Sequence, residues 1–163
     1  MKGFNSDKYL GKWYEIAKIP SGYSWDLGCK NSSAKYSADF TNPTAILVKN
    51  KCYDKSGKLL RQVYGRARLA GEDKSKFLIE FLGDYPVPEG IRKGEGCRME
   101  GNYWVLSTNY SSYSFVSNGD NLLWILSRQK QVPASHIPAL LKEVKKLGFD
   151  PEKVITNSSK FLG

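Results

Sequence analysis

The sequence predicts an all-β protein that carries one α-helix near its carboxyl end. Eight short runs alternate apolar and polar residues, turn-forming residues separate most of these runs, and one later segment has helical periodicity. Alternation places successive side chains on opposite faces of a strand, and short turns join antiparallel neighbours. Eight such strands form either a sandwich or an up-and-down barrel, and connections of mostly hairpin length favour the up-and-down order.

Length and composition fit one folded domain. The 163 residues are 40% hydrophobic and 13% aromatic, which supports a core and argues against disorder. No apolar run approaches the roughly 20 residues that span a bilayer. The first five residues lack the apolar segment of a signal peptide. We therefore expect a single domain over residues 1–163, with no transmembrane helix and no export signal visible in this chain.

The net charge is +9, from 25 basic and 16 acidic residues. A nucleic-acid-binding protein would concentrate this charge in a dense run or around an aromatic platform, and neither pattern is present. The charge is better explained by a basic, solvated surface, which would also attract anionic lipid.

The strands follow one another along the chain. Residues 1–10 are expected to form an irregular arm that can plug something with Phe4, Tyr9 and Leu10. After the first strand comes a loop with Tyr23 and Trp25, which either covers a site or packs on the rim. The predicted strands cover about 11–19, 30–40, 45–53, 59–69, 76–82, 98–108, 111–118 and 121–128, with a long loop at 83–97.

The spacing of the apolar residues changes once along the chain, in residues 135–147. The apolar residues there recur at helical spacing and form one face: Ile137, Leu140, Leu141, Val144 and Leu147. Ser135 is the expected N-cap, Pro138 falls in the first turn, where proline is tolerated, and Gly148 ends the helix. A short strand at about 153–156 follows.

The inner face that strand parity predicts mixes small side chains, such as Ala17, Ala34 and Ala67, with aromatic ones. An eight-stranded barrel can hold one small ligand, and this mixture favours a pocket over a filled core. Parity assigns ligand contact to Tyr36, Val48, Val63, Phe77, Ile79, Phe81, Tyr103, Val105, Val116 and Trp124. A slip of one residue would replace each of them with its neighbour.

The sequence offers no histidine-based catalytic site and no metal site. The single histidine, His136, starts the helix outside the barrel, so neither a Ser–His pair nor an inward haem ligand can form. The three cysteines lack the spacing of a zinc site. We expect no catalytic residue, no metal and no cofactor.

Three motifs give the chain a family resemblance. They are Gly11-x-Trp13-Tyr14-Glu15, Thr108-x-Tyr110-x-x-Tyr113 and Leu123-Trp124-Ile125-Leu126-Ser127-Arg128, the last followed by the helix. In this order and spacing they resemble the lipocalins, and within them the group of bacterial lipocalins and apolipoprotein D. The resemblance covers about residues 5–156. It implies an eight-stranded antiparallel up-and-down barrel over residues 11–128, with the helix packed outside.

The resemblance also implies roles for the motif residues. Trp13 would plug the closed end of the barrel, and Arg128 would lie over its ring, a contact worth about 0.5–2 kcal/mol. Asn109 stands where the family usually has aspartate, which weakens a charge-assisted turn contact. The residues that would mark the fold without binding ligand are Gly11, Trp13, Thr108, Tyr110, Tyr113 and Arg128.

The implied function is carriage of a small hydrophobic ligand, such as a fatty acid or a lysophospholipid. With this resemblance we expect a protein that is secreted, periplasmic or associated with the outer membrane, and that is a monomer or weak dimer. The distribution of charge already argues against nucleic acid as a partner. Two alternatives remain open. One is contact with anionic membranes through the basic outer wall formed by Lys49, Lys51, Arg66 and Arg68. The other is thiol-dependent lipid isomerisation, as in the prostaglandin-synthase branch, with Cys52 as nucleophile.

Cys29 and Cys52 can meet across the second and third strands. Their midpoint falls close to the turn at residues 41–44, and their placement resembles that of cysteines in some bacterial relatives. Parity, however, puts Cys52 inward and Cys29 outward unless a bulge intervenes. We hypothesise a Cys29–Cys52 disulfide, which leaves Cys97 free.

Overall fold

A computed structural model describes residues 1–20, 29–82 and 101–163 of the chain. Eight antiparallel strands form the barrel, and each pairs with the next along the chain. Strand β8 also pairs with β1, which closes the barrel in the predicted up-and-down order. The strands are β1 (Gly11–Ile19), β2 (Asn31–Ala38), β3 (Ala45–Tyr53), β4 (Leu59–Leu69), β5 (Lys76–Leu82), β6 (Tyr103–Thr108), β7 (Tyr113–Ser117) and β8 (Leu123–Ser127).

Shorter elements surround the barrel. They are α1 (Ser6–Tyr9), β9 (Val132–Pro133), α2 (Ile137–Lys146), β10 (Ile155–Thr156) and β11 (Phe161–Leu162), with 3-10 turns at Ala134–His136, Pro151–Lys153 and Ser158–Lys160. Strand β10 pairs with the upper part of β1, and β11 pairs in parallel with β9. Within the described parts of the chain, no helix is long and apolar enough to cross a bilayer.

The predicted bounds of β3, β4 and β5 agree with the structure, whereas the later strands are shorter than predicted. Strand β2 ends at Ala38 because Asp39 begins a turn, in which its carboxylate accepts hydrogen bonds from the amide and hydroxyl of Thr41 at 2.9 and 2.6 Å. The predicted loops with Tyr23, Trp25 and Cys97 lie outside the described residues.

Strand β1 contains a bulge that sequence parity does not predict. Glu15 pairs with Leu126 and Ala17 pairs with Ile125, so Ile16 is an extra residue on this strand. A bulge of this kind turns the following side chains to the opposite face. The prediction that Ala17 faces inward is therefore wrong, because Ala17 packs in the outer cluster beneath α2.

The apolar side chains form two clusters, one on each side of the barrel wall. The inner cluster lies inside the barrel and includes Phe4, Tyr9 and Trp13 from the amino-terminal part of the chain. The arm is thus a plug, as expected, although it is not irregular throughout, because α1 forms one helical turn. Asn5 caps that turn by accepting a hydrogen bond from the Lys8 amide at 3.1 Å.

The outer cluster holds α2 against the barrel. Leu140 and Val144 are buried there against side chains of β1, β7 and β8. Pro138 lies in the first turn, and Gly148 follows the helix with a φ of +92°, both as predicted. Ser135 is not the N-cap, because a 3-10 turn precedes α2 and places His136 at that position.

The structure joins Cys29 and Cys52 by a disulfide, with the two Cα atoms 5.5 Å apart. This separation lies within the usual range for the bond. The parity conflict does not arise, because Cys29 precedes the first residue of β2. The register of β3 against β4 also shifts directly after Cys52.

Removing this disulfide is expected to destabilise the protein. The bond closes a loop with a sequence separation of 23 residues, and loop-closure entropy for that length predicts a loss of about 3 kcal/mol. Denaturant unfolding of the Cys29→Ser/Cys52→Ser variant measures this loss of stability. The Cys97→Ser variant is the control, because it removes a cysteine without removing the disulfide. Alkylation of all three thiols in the unreduced, unfolded protein would contradict the pairing.

Candidate functional site

The closed end of the barrel is built around Trp13, which is fully buried. Its indole nitrogen donates to the Tyr9 carbonyl at 2.9 Å. The guanidinium carbon of Arg128 lies 3.8 Å from the centre of the Trp13 ring, so the pairing implied by the family resemblance is confirmed. At that distance the cation faces the negative potential of the indole.

Arg128 also ties three parts of the chain together. Its Nε donates to the Tyr110 carbonyl at 2.8 Å, and its terminal nitrogens donate to the carbonyls of Lys12 and Lys8, each at 3.1 Å. A planar guanidinium can reach all of these acceptors at once, whereas a lysine ammonium cannot. Arg128 thereby joins the amino-terminal arm, β1 and the β6–β7 turn.

Gly11 is required beside Arg128 for two reasons. Its φ of +101° lies in a region that side chains disfavour. A Cβ atom at this position would also lie 3.0 Å from Nη1 of Arg128. The glycine of the first motif therefore provides space for the arginine of the third.

The second motif forms the turn between β6 and β7. The Thr108 hydroxyl donates to the Tyr113 carbonyl at 2.8 Å and accepts from the Tyr110 amide at 3.0 Å. Asn109 accepts from the amides of Ser112 and Tyr113 at 2.9 and 3.0 Å. A neutral amide oxygen therefore makes the turn contacts that aspartate would make with a charge.

Above the plug, tyrosine hydroxyls form a connected floor. The Tyr9 hydroxyl lies 2.9 Å from that of Tyr103 and 2.8 Å from Oγ of Ser114. The Tyr103 hydroxyl lies 2.8 Å from that of Tyr36. Burial raises the pKa of Tyr9 to about 12, and it raises those of Tyr36 and Tyr103 as well. These groups therefore stay neutral at physiological pH and act as hydrogen-bonding groups.

All ten residues predicted to contact ligand lie on barrel strands. Eight belong to the inner cluster or pack against it: Tyr36, Val48, Phe77, Ile79, Tyr103, Val105, Val116 and Trp124. The other two lie on the same inner face of the sheet. Val63 is four residues from Ala67 on β4, so the two side chains point the same way, and Phe81 pairs with Gly65 on that face. Their contact with a ligand stays a prediction.

The lower part of the interior is filled. A space of only about 10 Å³ lies among the floor residues, which include Tyr9, Tyr36, Phe77 and Tyr103. That is room for about one water molecule. Ring centres of Tyr36 and Tyr103 are 5.9 Å apart, and those of Phe77 and Tyr103 are 6.5 Å apart. At this end, three of the predicted contact residues pack on one another.

The bulge in β1 places Lys18 on the inner face, which it shares with Glu15. Glu15 pairs with Leu126 and Lys18 pairs with Trp124, and paired residues share a face of the sheet. The Lys18 ammonium lies 3.8 Å from a Glu15 carboxylate oxygen, and both side chains are about one-fifth exposed (22% and 21%). The sequence does not predict Lys18 at this position, because nothing in the local sequence marks the bulge.

The chain is similar in sequence to known proteins over most of its length. A family model described as a lipocalin-like domain matches residues 4–159. The outer membrane lipoprotein Blc of Vibrio cholerae is 30% identical over 158 residues, which cover 93% of this chain and 81% of that protein. Mouse apolipoprotein D is 27% identical over 164 residues, with coverage of 95% and 77%.

A solved structure supports the fold independently. The amine-binding protein of Rhodnius prolixus, in its tryptamine complex, matches with a TM-score of 0.64 at 16% identity. The match covers 98% of this chain and 83% of that one.

The chain forms a closed up-and-down barrel with an outer helix, and a tryptophan under an arginine holds its plugged end. Closed barrels of eight strands form a class that can hold one small ligand. The chain belongs to the lipocalin family. Proteins of this family bind small hydrophobic ligands, and they are generally carriers rather than enzymes.

Proposed function

We propose that the chain binds and carries a small hydrophobic ligand, such as a fatty acid or a lysophospholipid, above the tyrosine floor. The observation that carries this proposal is the apolar inner face of β3, β4 and β5. There Val48, Val63 and Ile79 surround the small residues Gly65 and Ala67. An acyl chain buried against such a face gains about 0.8 kcal/mol per methylene.

The charged pair on β1 favours a ligand with a polar head. An ammonium on a largely apolar face attracts a carboxylate or a phosphate. Glu15 already neutralises part of the Lys18 charge, so the ligand head has to compete with it. This arrangement fits an amphipathic lipid better than a pure hydrocarbon.

Shortening the inner aromatic residues is expected to weaken ligand binding. Trp124→Ala and Phe81→Ala each remove apolar contact area, which for a side chain of this size corresponds to a loss of about tenfold or more in affinity. Titration with the fluorescent fatty acid parinaric acid measures it, together with native mass spectrometry of lipids that co-purify. Leu47→Ala is the matched control, because Leu47 lies on the outer face and is 36% exposed.

Two results would contradict the carrier proposal. One is the absence of fatty-acid binding by the intact protein. The other is an equal affinity of the inner-face variants and the Leu47→Ala control, since a ligand inside the barrel must be sensitive to its walls.

The membrane-surface alternative gains less support from the outer wall than the sequence suggests. Arg66 forms an ion pair with Asp39 at 2.9 Å, and Arg68 forms one with Glu80 at 2.6 Å. Half of the four basic residues assigned to that wall are therefore neutralised by carboxylates. Salt-sensitive binding to anionic liposomes that survives a blocked cavity would favour this alternative.

The thiol-isomerase alternative is weakened by the disulfide. A nucleophilic thiolate is needed for that chemistry, and the sulfur of Cys52 is bonded to that of Cys29. We therefore propose a carrier without enzymatic activity.

We further propose that the protein acts in an oxidising compartment, outside the cytoplasm, as a monomer or weak dimer. Support comes from the disulfide, since such bonds persist mainly in oxidising environments. The name of the related Blc, an outer membrane lipoprotein, points the same way.

A further inference from the structure

A second cleft lies outside the barrel, between the outer face of β1 and β2 and the carboxyl-terminal segment. It has a volume of about 370 Å³. Among the described residues, its lining includes three lysines, two tyrosines and three serines, and no carboxylate side chain contributes to it. The residues that matter for the argument are Lys12, Tyr14, Ser33, Lys130 and Lys160.

The carboxyl-terminal segment that closes this cleft is anchored to the barrel. The Asn157 side-chain amide donates to the Lys30 carbonyl at 2.7 Å, and its main-chain amide donates to the Ile16 carbonyl at 2.9 Å. Beyond the cleft, Phe161 pairs with Val132 in the β9–β11 ladder. Lys160 is therefore held between two fixed points.

Lys160 is unusual for a lysine because it is only 4% exposed. Its ammonium lies 5.5 Å from the centre of the Tyr14 ring, and the Lys12 ammonium lies 4.9 Å from the same ring. Within the described part of the chain, neither of them nor Lys130 forms an ion pair with a carboxylate. Buried lysines are normally paired, so a buried lysine without such an ion pair is unusual.

The three lysines also act on one another. Burial lowers the pKa of Lys160, and the charges of Lys130 and Lys12 lower it further, while the charge of Glu15 raises it and offsets only part of the effect. The cleft thus concentrates positive charge, and Glu15 is the one acidic group of the described residues that offsets part of it at Lys160. An anion placed between the ammonium groups would relieve their repulsion.

We propose that this outer cleft binds an oxyanion of the phosphate type. Lysine ammoniums bind phosphate as point charges, and the hydroxyl of Ser33 supplies a neutral donor beside them. The phosphate could be a free ion or the headgroup of a phospholipid, because both present the same oxygens. The site is separate from the barrel interior and does not depend on the carrier proposal.

The test uses the full chain with two probes. Isothermal titration with inorganic phosphate measures binding of the free ion, and co-sedimentation with phosphatidylcholine vesicles, with and without phosphatidic acid, measures binding of the headgroup. Binding is expected to at least one probe and to weaken as salt is raised. Lys130→Gln and Lys12→Gln are each expected to reduce the affinity about tenfold or more.

Lys142→Gln provides the matched control, because it removes the same charge from the exposed side of α2. Selective loss in the cleft variants for inorganic phosphate identifies a soluble ligand, and selective loss for vesicles alone identifies a headgroup. Absence of binding to both probes, or an equal loss in Lys142→Gln, would overturn the proposal. Parinaric acid binding by Lys130→Gln is expected to stay unchanged, which separates this site from the barrel.

Discussion

Replacing Trp13 with alanine is expected to lower the free energy of unfolding by about 3–5 kcal/mol, as for other large aromatic residues in cores. Trp13 is fully buried, and the Tyr9 and Arg128 side chains pack against its ring. Its removal leaves a cavity at the closed end, where the plug cannot collapse without breaking the contacts of Arg128. Denaturant unfolding of the two proteins measures the difference.

A double-mutant cycle separates the ring contact from general packing. Trp13→Ala and Arg128→Ala are expected to couple by about 0.5–2 kcal/mol, the range for a guanidinium on an indole. Tyr64→Ala serves as the aromatic control, because Tyr64 is 46% exposed on the outer wall and its loss should change stability little. Additive effects of the two substitutions would refute the coupling.

Replacing Gly101 with alanine is expected to lower the free energy of unfolding by about 2–5 kcal/mol. The φ of Gly101 is +81°, which costs a side-chain-bearing residue about 1–2 kcal/mol. A Cβ atom there would also collide with the Phe77 carbonyl and lie 2.7 Å from Cβ of Ala70. Overpacking of this kind adds about 1–3 kcal/mol.

Gly57→Ala is the matched control for Gly101→Ala. Gly57 has a φ of +88°, but no atom lies within 4 Å of the Cβ position. The difference between the two variants in denaturant unfolding therefore isolates the collision from the backbone strain. Equal losses in the two variants would mean that the chain near Gly101 can move away from β5.

Gly101 is sensitive because of its place in the barrel. Among the described residues, β5 and β6 pair only at Lys76 with Trp104 and at Phe77 with Tyr103. Asn102 extends this short ladder, because its side-chain oxygen accepts from the Ile79 amide at 2.8 Å and its side-chain nitrogen donates to the Ile79 carbonyl at 3.2 Å. The close approach of the chain at Gly101 allows that link.

Much of the fold could be predicted because its signals are local. The bounds of β3, β4 and β5 follow from alternation and from turn residues between the strands, and both depend only on near neighbours in the chain. The apolar face of α2 is equally visible. The stacking of Arg128 on Trp13 was predicted from the family motifs. Local patterns cannot predict it, because the two residues are more than a hundred positions apart in the chain.

The candidate site was predicted less completely. Parity placed Val48, Ile79 and Trp124 on the inner face, but it could not show that the tyrosines at the floor pack on one another instead of lining an open space. That outcome depends on the amino-terminal arm, which carries Phe4 and Tyr9 into the barrel from outside the sheet.

The sequence by itself determined the class of fold, the order of the strands and the three motifs of the closed end. Each of these can be recognised from the types and spacing of residues that are near one another in the chain. Only the tertiary structure decided that Lys18 replaces Ala17 on the inner face and that Lys160 is buried beside Lys12 and Lys130. A bulge and the return of the carboxyl-terminal segment produce these two results. Both arise from the closure of the barrel and the packing of distant segments against it, which local periodicity does not encode.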